Sequence, residues 1–380
     1  MATMTTTKTV APPPPPAFTA LTSLSKGGKI LFATDEWFAA ADNLLSPTPP
    51  VFIAEKFTDF GKWMDGWESR RKRIPGHDWC IIELGLRGKI VGIDVDTAFF
   101  TGNNAPQVSI QAACLEPHVG SSLIRPRRMG TSASDDEFKA VEALQSAKWT
   151  EILPRSSLGP GYEATRHNYF EVESDQVFTH LRLNMFPDGG IARLHVYGIV
   201  SVDWSKIDGR VDLVAAANGG TAIYYSDAHY GEPRNLLNPG RGVNMGDGWE
   251  TARKKTRPSV LTLDPQGLLQ VPGSDFVVLK LGHVGIPDEV EVDTAHFKGN
   301  FPESCLVEGC LWHGSDDLKV LEHGEWTPLF PRTKLTADAI HRFQPTIPQR
   351  PINYIRLTIF PDGGISRFRL FGVKANPSRL

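Results

Sequence analysis

The chain has 380 residues, 41% of them hydrophobic and 22% charged, with a formal net charge of −3. That length supports two or three domains, each burying its own core. The small net charge gives no electrostatic basis for binding nucleic acid or an anionic membrane surface, and neither a bilayer-spanning apolar run nor a signal-peptide core is present.

Residues 1–25 are rich in threonine and carry an unbroken proline run from Pro12 to Pro16. Such a stretch buries too little apolar surface to order itself, so a disordered tail is expected. The body that follows is written twice. Gly27-Gly28, Asp35 and Asp42-Asn-Leu-Leu45 return as Gly219-Gly220, Asp227 and Arg234-Asn-Leu-Leu237. Met64-Asp-Gly-Trp-Glu-Ser-Arg-Arg-Lys72 returns as Met245-Gly-Asp-Gly-Trp-Glu-Thr-Ala-Arg-Lys254. Each is followed by an apolar strand, Trp79–Leu84 or Phe276–Leu281, and then by Asp96-Thr-Ala-Phe-Phe-Thr-Gly-Asn103 or Asp293-Thr-Ala-His-Phe-Lys-Gly-Asn300.

Trp149 to Arg155 matches Trp326 to Arg332. Each copy closes on Phe-Pro-Asp-Gly-Gly, where Asp188 and Asp362 mark the same point 174 residues apart. Apolar and polar residues alternate on both sides of this turn, which reads as a β-hairpin in each copy. The arginines of these strands, Arg182, Arg193, Arg356 and Arg367, stand out, although an Arg on a strand usually faces water.

A repeat of this length is a whole domain rather than a solenoid unit. Many short strands punctuated by Gly, Pro, Asn and Asp predict a mostly β protein, with a sandwich or jelly roll in each half. Residues 26–200 form the first repeat, 201–216 a linker, 217–375 the second repeat and 376–380 a C-terminal tail. An insertion at about 116–148 interrupts the first repeat. In it, Ser134 followed by Asp135, Asp136 and Glu137 and by apolar residues at helical spacing predicts a capped helix.

The ordered, paired segments resemble the allantoicase (allantoate amidinohydrolase) family from about residue 27 to about 373. The resemblance implies two tandem jelly rolls similar to galactose-binding domains. It also implies cleavage of allantoate to ureidoglycolate and urea, in purine (urate and allantoin) degradation. The partner it implies is a small molecule, and no cofactor follows from it. A homo-oligomer is expected because large paired sheets offer self-complementary faces.

Cleaving allantoate requires a clamp for its carboxylate, acceptors for ureido N–H groups and proton transfer at the C–N bond that breaks. The paired segments carry that inventory. Glu68 or Glu250, with Asp65 and Asp247, are the candidates for proton transfer; the alternative is a surface ion pair at short sequence separation. Arg71, Arg253, Arg193 and Arg367 are the candidates for the clamp, because a guanidinium binds a carboxylate through two parallel hydrogen bonds. Arg155 and Arg332 are weaker ones. Asp96 with Asn103, and Asp293 with Asn300, could bind ureido groups or could simply build turns. Trp67 and Trp249 read as core plugs.

No metal is expected, since His-Glu-x-x-His and clustered Asp/His patterns are missing and Cys305 and Cys310 lack a second pair. The four cysteines, with Cys80 and Cys114, are too scattered for a disulfide framework and fit a reducing compartment. The terminal Ser378-Arg379-Leu380 is one conservative change from a peroxisomal address, so a peroxisomal or cytoplasmic location is expected. A non-catalytic ligand- or carbohydrate-binding protein built from two galactose-binding-like modules is the competing reading, since fold alone does not set function.

Overall fold

The computed structural model describes residues 5–9, 19–23, 26–116, 119, 129–256, 258–346 and 350–375. The chain divides into two units, Met1–Ser201 and Val202–Leu380. Each is a jelly-roll sandwich organised by a single 19-residue strand, Asp78–Asp96 in the first unit and Asp275–Asp293 in the second. That strand changes partners midway. Its first half pairs with Lys29–Ala33 and Val177–Phe186, and its second half with His167–Glu173 and Arg193–Val200. The two halves therefore belong to two layers. In the second unit the partners are Thr221–Tyr225 and Ile352–Phe360, then Ile340–Phe343 and Arg367–Lys374.

Alternation along these strands puts one face of each layer into the core. Ile82, Leu181, Leu183, Val95 and Leu194 are fully buried or nearly so, as are Leu279, Ile355, Leu357, Val292 and Phe368. The predicted helix forms at Asp135–Glu142. Ser134 caps it, and Glu137 reaches back to the cap to complete a capping box. Its Phe138 and Val141 cover Phe32, Ile81 and Trp79 on the outer face of the first layer. The second unit covers the equivalent face with one turn, Val320–His323.

Three expectations need correction. Phe-Pro-Asp-Gly-Gly is not the turn of a hairpin. The strands on either side, Val177–Phe186 and Arg193–Val200, pair with opposite halves of the long strand and not with each other. The segment is an arch between layers, entered through a cis Phe186–Pro187 bond and carrying Gly189 at φ 132. Period-2 alternation is the same for an arch and a hairpin, so the pattern could not distinguish them.

The tail is not wholly unstructured. Thr5–Thr9 adds an edge strand along His167–Glu173, and Thr19–Ala20 pairs with Tyr197 and Gly198 ahead of the buried Leu21. Residues 201–216, read as a linker, belong to the second unit. Arg210–Asp212 pairs with Arg367–Lys374, and Leu213 and Val214 are buried. The tripeptide Ser378-Arg379-Leu380 lies outside the described residues.

Candidate active site

The arch positions the site. Its Gly190 and Ile191 pair with Glu68 and Trp67, and Gly364 and Ile365 pair with Glu250 and Trp249. Trp67 is completely buried and donates its indole N–H to the Asp35 carbonyl at 2.8 Å; Trp249 does the same to Asp227. With the tryptophan anchored and period 2 along the strand, the following glutamate must point the other way, out of the core. A side chain at position 190 or 364 would run into the Phe100 or Phe297 ring, which is why the arch needs glycine here.

Each glutamate meets its asparagine. Asn103 Nδ2 donates to Glu68 Oε1 at 2.7 Å, and Asn300 Nδ2 donates to Glu250 Oε1 at 2.5 Å. In the first unit Glu68, Asn103, Arg71, Lys72, Asp188 and Phe38 line a cleft of about 450 Å³. In the second, Glu250, Asn300, Arg253, Lys254, Asp362 and Tyr230 line one of about 1050 Å³. Burial raises the Glu68 carboxyl above its usual range, and the Asn103 hydrogen bond only partly offsets this. Arg71 and Arg253 are exposed, line the cleft and make no side-chain bond among the described residues.

The lysine after each arginine was not singled out from the sequence. Lys72 donates its backbone N–H to Asp188 at 2.8 Å and its ammonium to the buried Asp78 at 2.6 Å. Lys254 repeats this with Asp362 and Asp275, both at 2.7 Å. One signal was available: the Arg-Lys pair recurs at the same offset from both glutamates. Asp188 and Asp362 had registered only as turn residues. Tyr230, Glu303 and Lys334 face a different residue type at the matching position of the other repeat (Phe38, Pro106 and Ser157), so repetition could not flag them.

Several predicted residues lie elsewhere. Asp65 and Arg193 form a buried ion pair at 2.8 Å, and Arg193, only 1% exposed, also bonds the Asp65, Thr48 and Ala192 carbonyls. Asp247 and Arg367 repeat it at 2.6 Å. These four side chains tie the Asp-Gly-Trp-Glu loop to the strand that leaves the arch, so proton-transfer and clamp roles do not fit them. A strand arginine was expected to face water. Here the overlying loop covers it and supplies carbonyl acceptors.

Asp96 and Asp293 are also buried. They accept the backbone N–H two residues on, at 2.8 Å each, and pair with Arg166 and Arg241. They build the turns that aim Asn103 and Asn300. Asp35, likewise, bonds Arg70 and the Trp37 N–H. Arg182 donates to Asn184 and Ser146, Arg356 to Glu308, and Arg155 to Gln107.

An allantoicase-repeat family model matches residues 19–201 and 211–375, once over each unit. The chain belongs to the allantoicase family. A probable allantoicase of Pseudomonas syringae pv. syringae is 46% identical over 93% of this chain and 96% of its own length. One from Pseudomonas fluorescens Pf-5 is 45% identical over the same shares. The crystal structure of Saccharomyces cerevisiae allantoicase matches with a TM-score of 0.70 and 34% identity, covering 93% of both chains. Pairing of an allantoicase repeat with each sandwich accounts for two clefts built from the same residue types.

Proposed function

We propose that the protein hydrolyses allantoate to ureidoglycolate and urea at clefts centred on Glu68 and Glu250. The observation that carries this reading is the convergence, in both units, of a carboxyl held by an amide, an exposed guanidinium, a fixed ammonium and a second carboxylate around one cavity. Arg71 or Arg253 binds the allantoate carboxylate, with Lys72 or Lys254 adding positive charge. Asp188 and Asp362 accept ureido N–H bonds.

The glutamate protonates the nitrogen of the departing ureido group while the lone pair of the other ureido nitrogen expels it as urea. Water then adds to the same carbon and returns its proton to the glutamate. One water enters and one urea leaves. A carboxyl raised by burial keeps its proton closer to neutral pH, which suits Glu68 to the donating step. Asn103 and Asn300 fix the orientation of that carboxyl.

The test is urea release from allantoate by folded Glu68→Gln and Glu250→Gln proteins. Replacing both should lower turnover by about 10²–10⁴-fold. Wild-type turnover in the double variant would remove the assignment. The competing binding-module reading has no support in the family match, and failure of the wild-type protein to release urea would revive it.

We further propose a homo-oligomer, to be checked by light scattering. A peroxisomal location rests on the last three residues alone, since the two Pseudomonas relatives are bacterial and bacteria have no peroxisomes.

A further inference from the structure

The two clefts share a set of groups but not a size, and a loop of the second unit with no counterpart of that length in the first lines part of the larger one. From Lys254 to Asp275 the second unit runs 15 residues longer than the first does from Lys72 to Asp78. Part of that length, Thr262–Val271, doubles back on itself. Gln270 N–H donates to the Thr262 carbonyl at 2.9 Å, and Asp264 N–H to the Leu268 carbonyl at 2.9 Å. Asp264 Oδ1 accepts the Gln266 and Leu268 N–H groups at 2.9 and 2.8 Å. Leu269 and Val271 from this segment line the second cleft.

The segment is fastened at Leu269. Glu303 Oε1 accepts the Leu269 N–H at 3.0 Å, and Arg332 Nη2 donates to the Leu269 carbonyl at 3.4 Å. Glu303 and Arg332 are themselves an ion pair at 3.3 Å. Arg332 is held in turn by Ser304 Oγ at 2.7 Å and by stacking on Phe360. In the first unit Pro106 stands where Glu303 does. The counterpart of Arg332, Arg155, stacks on Phe186 and bonds Gln107, with no carboxylate partner among the described residues.

We infer that Glu303 is a positioning residue, acting through Arg332 and Leu269 to hold an apolar wall that makes the second cleft the tighter of two allantoate sites. The inference rests on the proposed chemistry of Glu250 and deepens it. A wall of Leu269 and Val271 removes water from one side of the cleft, which strengthens the attraction between Arg253 and a carboxylate. The neighbouring Lys334 and Tyr230 line the same cavity. The first cleft, with Ser157 and Phe38 at the positions corresponding to Lys334 and Tyr230, has none of these additions.

The experiment uses the full chain with Glu68→Gln, so that turnover reports the second cleft. Adding Glu303→Ala should raise KM for allantoate about tenfold or more, as expected for one lost hydrogen-bonded anchor, while kcat changes by about twofold at most. Glu303→Gln keeps an acceptor for Leu269 and should recover part of the loss. Trypsin cleavage after Lys255 should be faster in Glu303→Ala, and allantoate should slow it in the wild-type chain. Unchanged KM together with unchanged cleavage overturns the inference, as does loss of all urea release in Glu68→Gln alone. The Glu68→Gln/Glu250→Gln protein separates the two readings: full turnover there sinks the proton-transfer assignment, while the trypsin result still decides on Glu303.

Discussion

Replacing Asn103 with aspartate tests the role of Glu68 directly. Asn103 Nδ2 now donates to Glu68 Oε1 across 2.7 Å. Aspartate would face the glutamate with a second negative charge whose centre lies roughly 4 Å away. At an effective dielectric near 20 that repulsion is worth about 4 kcal/mol, or roughly three pH units at 1.4 kcal/mol each. Asn103 is exposed, so water and salt screen the charge and a rotamer change relieves it; about one to two units is the expected shift.

A like charge disfavours the ionised form, so the Glu68 carboxyl rises further. If Glu68 must carry a proton to expel urea, the alkaline limb of the pH–kcat profile moves upward by that amount. If it acted only as a base, the acid limb would move upward instead. The assay is urea release against pH for Asn103→Asp in a Glu250→Gln background. A protein that unfolds at the parental temperature yet shows neither limb displaced would refute the placement of Glu68 in the reaction.

Removing the buried guanidinium in Arg193→Met or Arg367→Met leaves Asp65 or Asp247 without its partner, and denaturant titration should show a loss of about 3–5 kcal/mol. Gly190→Ala and Gly364→Ala drive a methyl into the Phe100 or Phe297 ring; each should cost about 1–3 kcal/mol in the same titration and also disturb the adjacent glutamate. Ser134→Ala removes the capping box and should cost about 1 kcal/mol by thermal unfolding.

His167 Nδ1 donates to the buried Asp94 Oδ2 at 2.9 Å, and that hydrogen bond raises its pKa above the ordinary 6.5. Its stabilisation is therefore complete below that value and fades as pH rises through the raised one. His167→Gln should lower the denaturation midpoint at about pH 5.5 and leave it nearly unchanged at about pH 9.

The duplication made much of the site legible. Glu68 and Glu250, Arg71 and Arg253, and Asn103 and Asn300 stand out in the sequence because each residue type recurs at a fixed offset from an anchored tryptophan or turn, and the fold gathers each set at one cleft. The same rule misled for Asp65 with Arg193 and for Asp96, since a residue repeated for a structural reason looks like one repeated for chemistry. Only the coordinates show the Arg193 guanidinium enclosed by the Asp65, Thr48 and Ala192 carbonyls. Lys72 and Lys254 were overlooked because lysine in a basic run reads as solvated surface. Their partners Asp78 and Asp275 open a strand six and twenty-one residues further on.

Alternation and repetition, both local properties of the chain, were enough to specify two β-sandwich copies and the segments each would display on its loops. Whether Phe-Pro-Asp-Gly-Gly closes a hairpin or crosses between layers depends on which half of the long strand accepts each neighbour. Whether an arginine meets solvent or a buried aspartate depends on the loop folded over it. Both are contacts between residues far apart in sequence, and only the closed sandwich brings them within hydrogen-bonding distance.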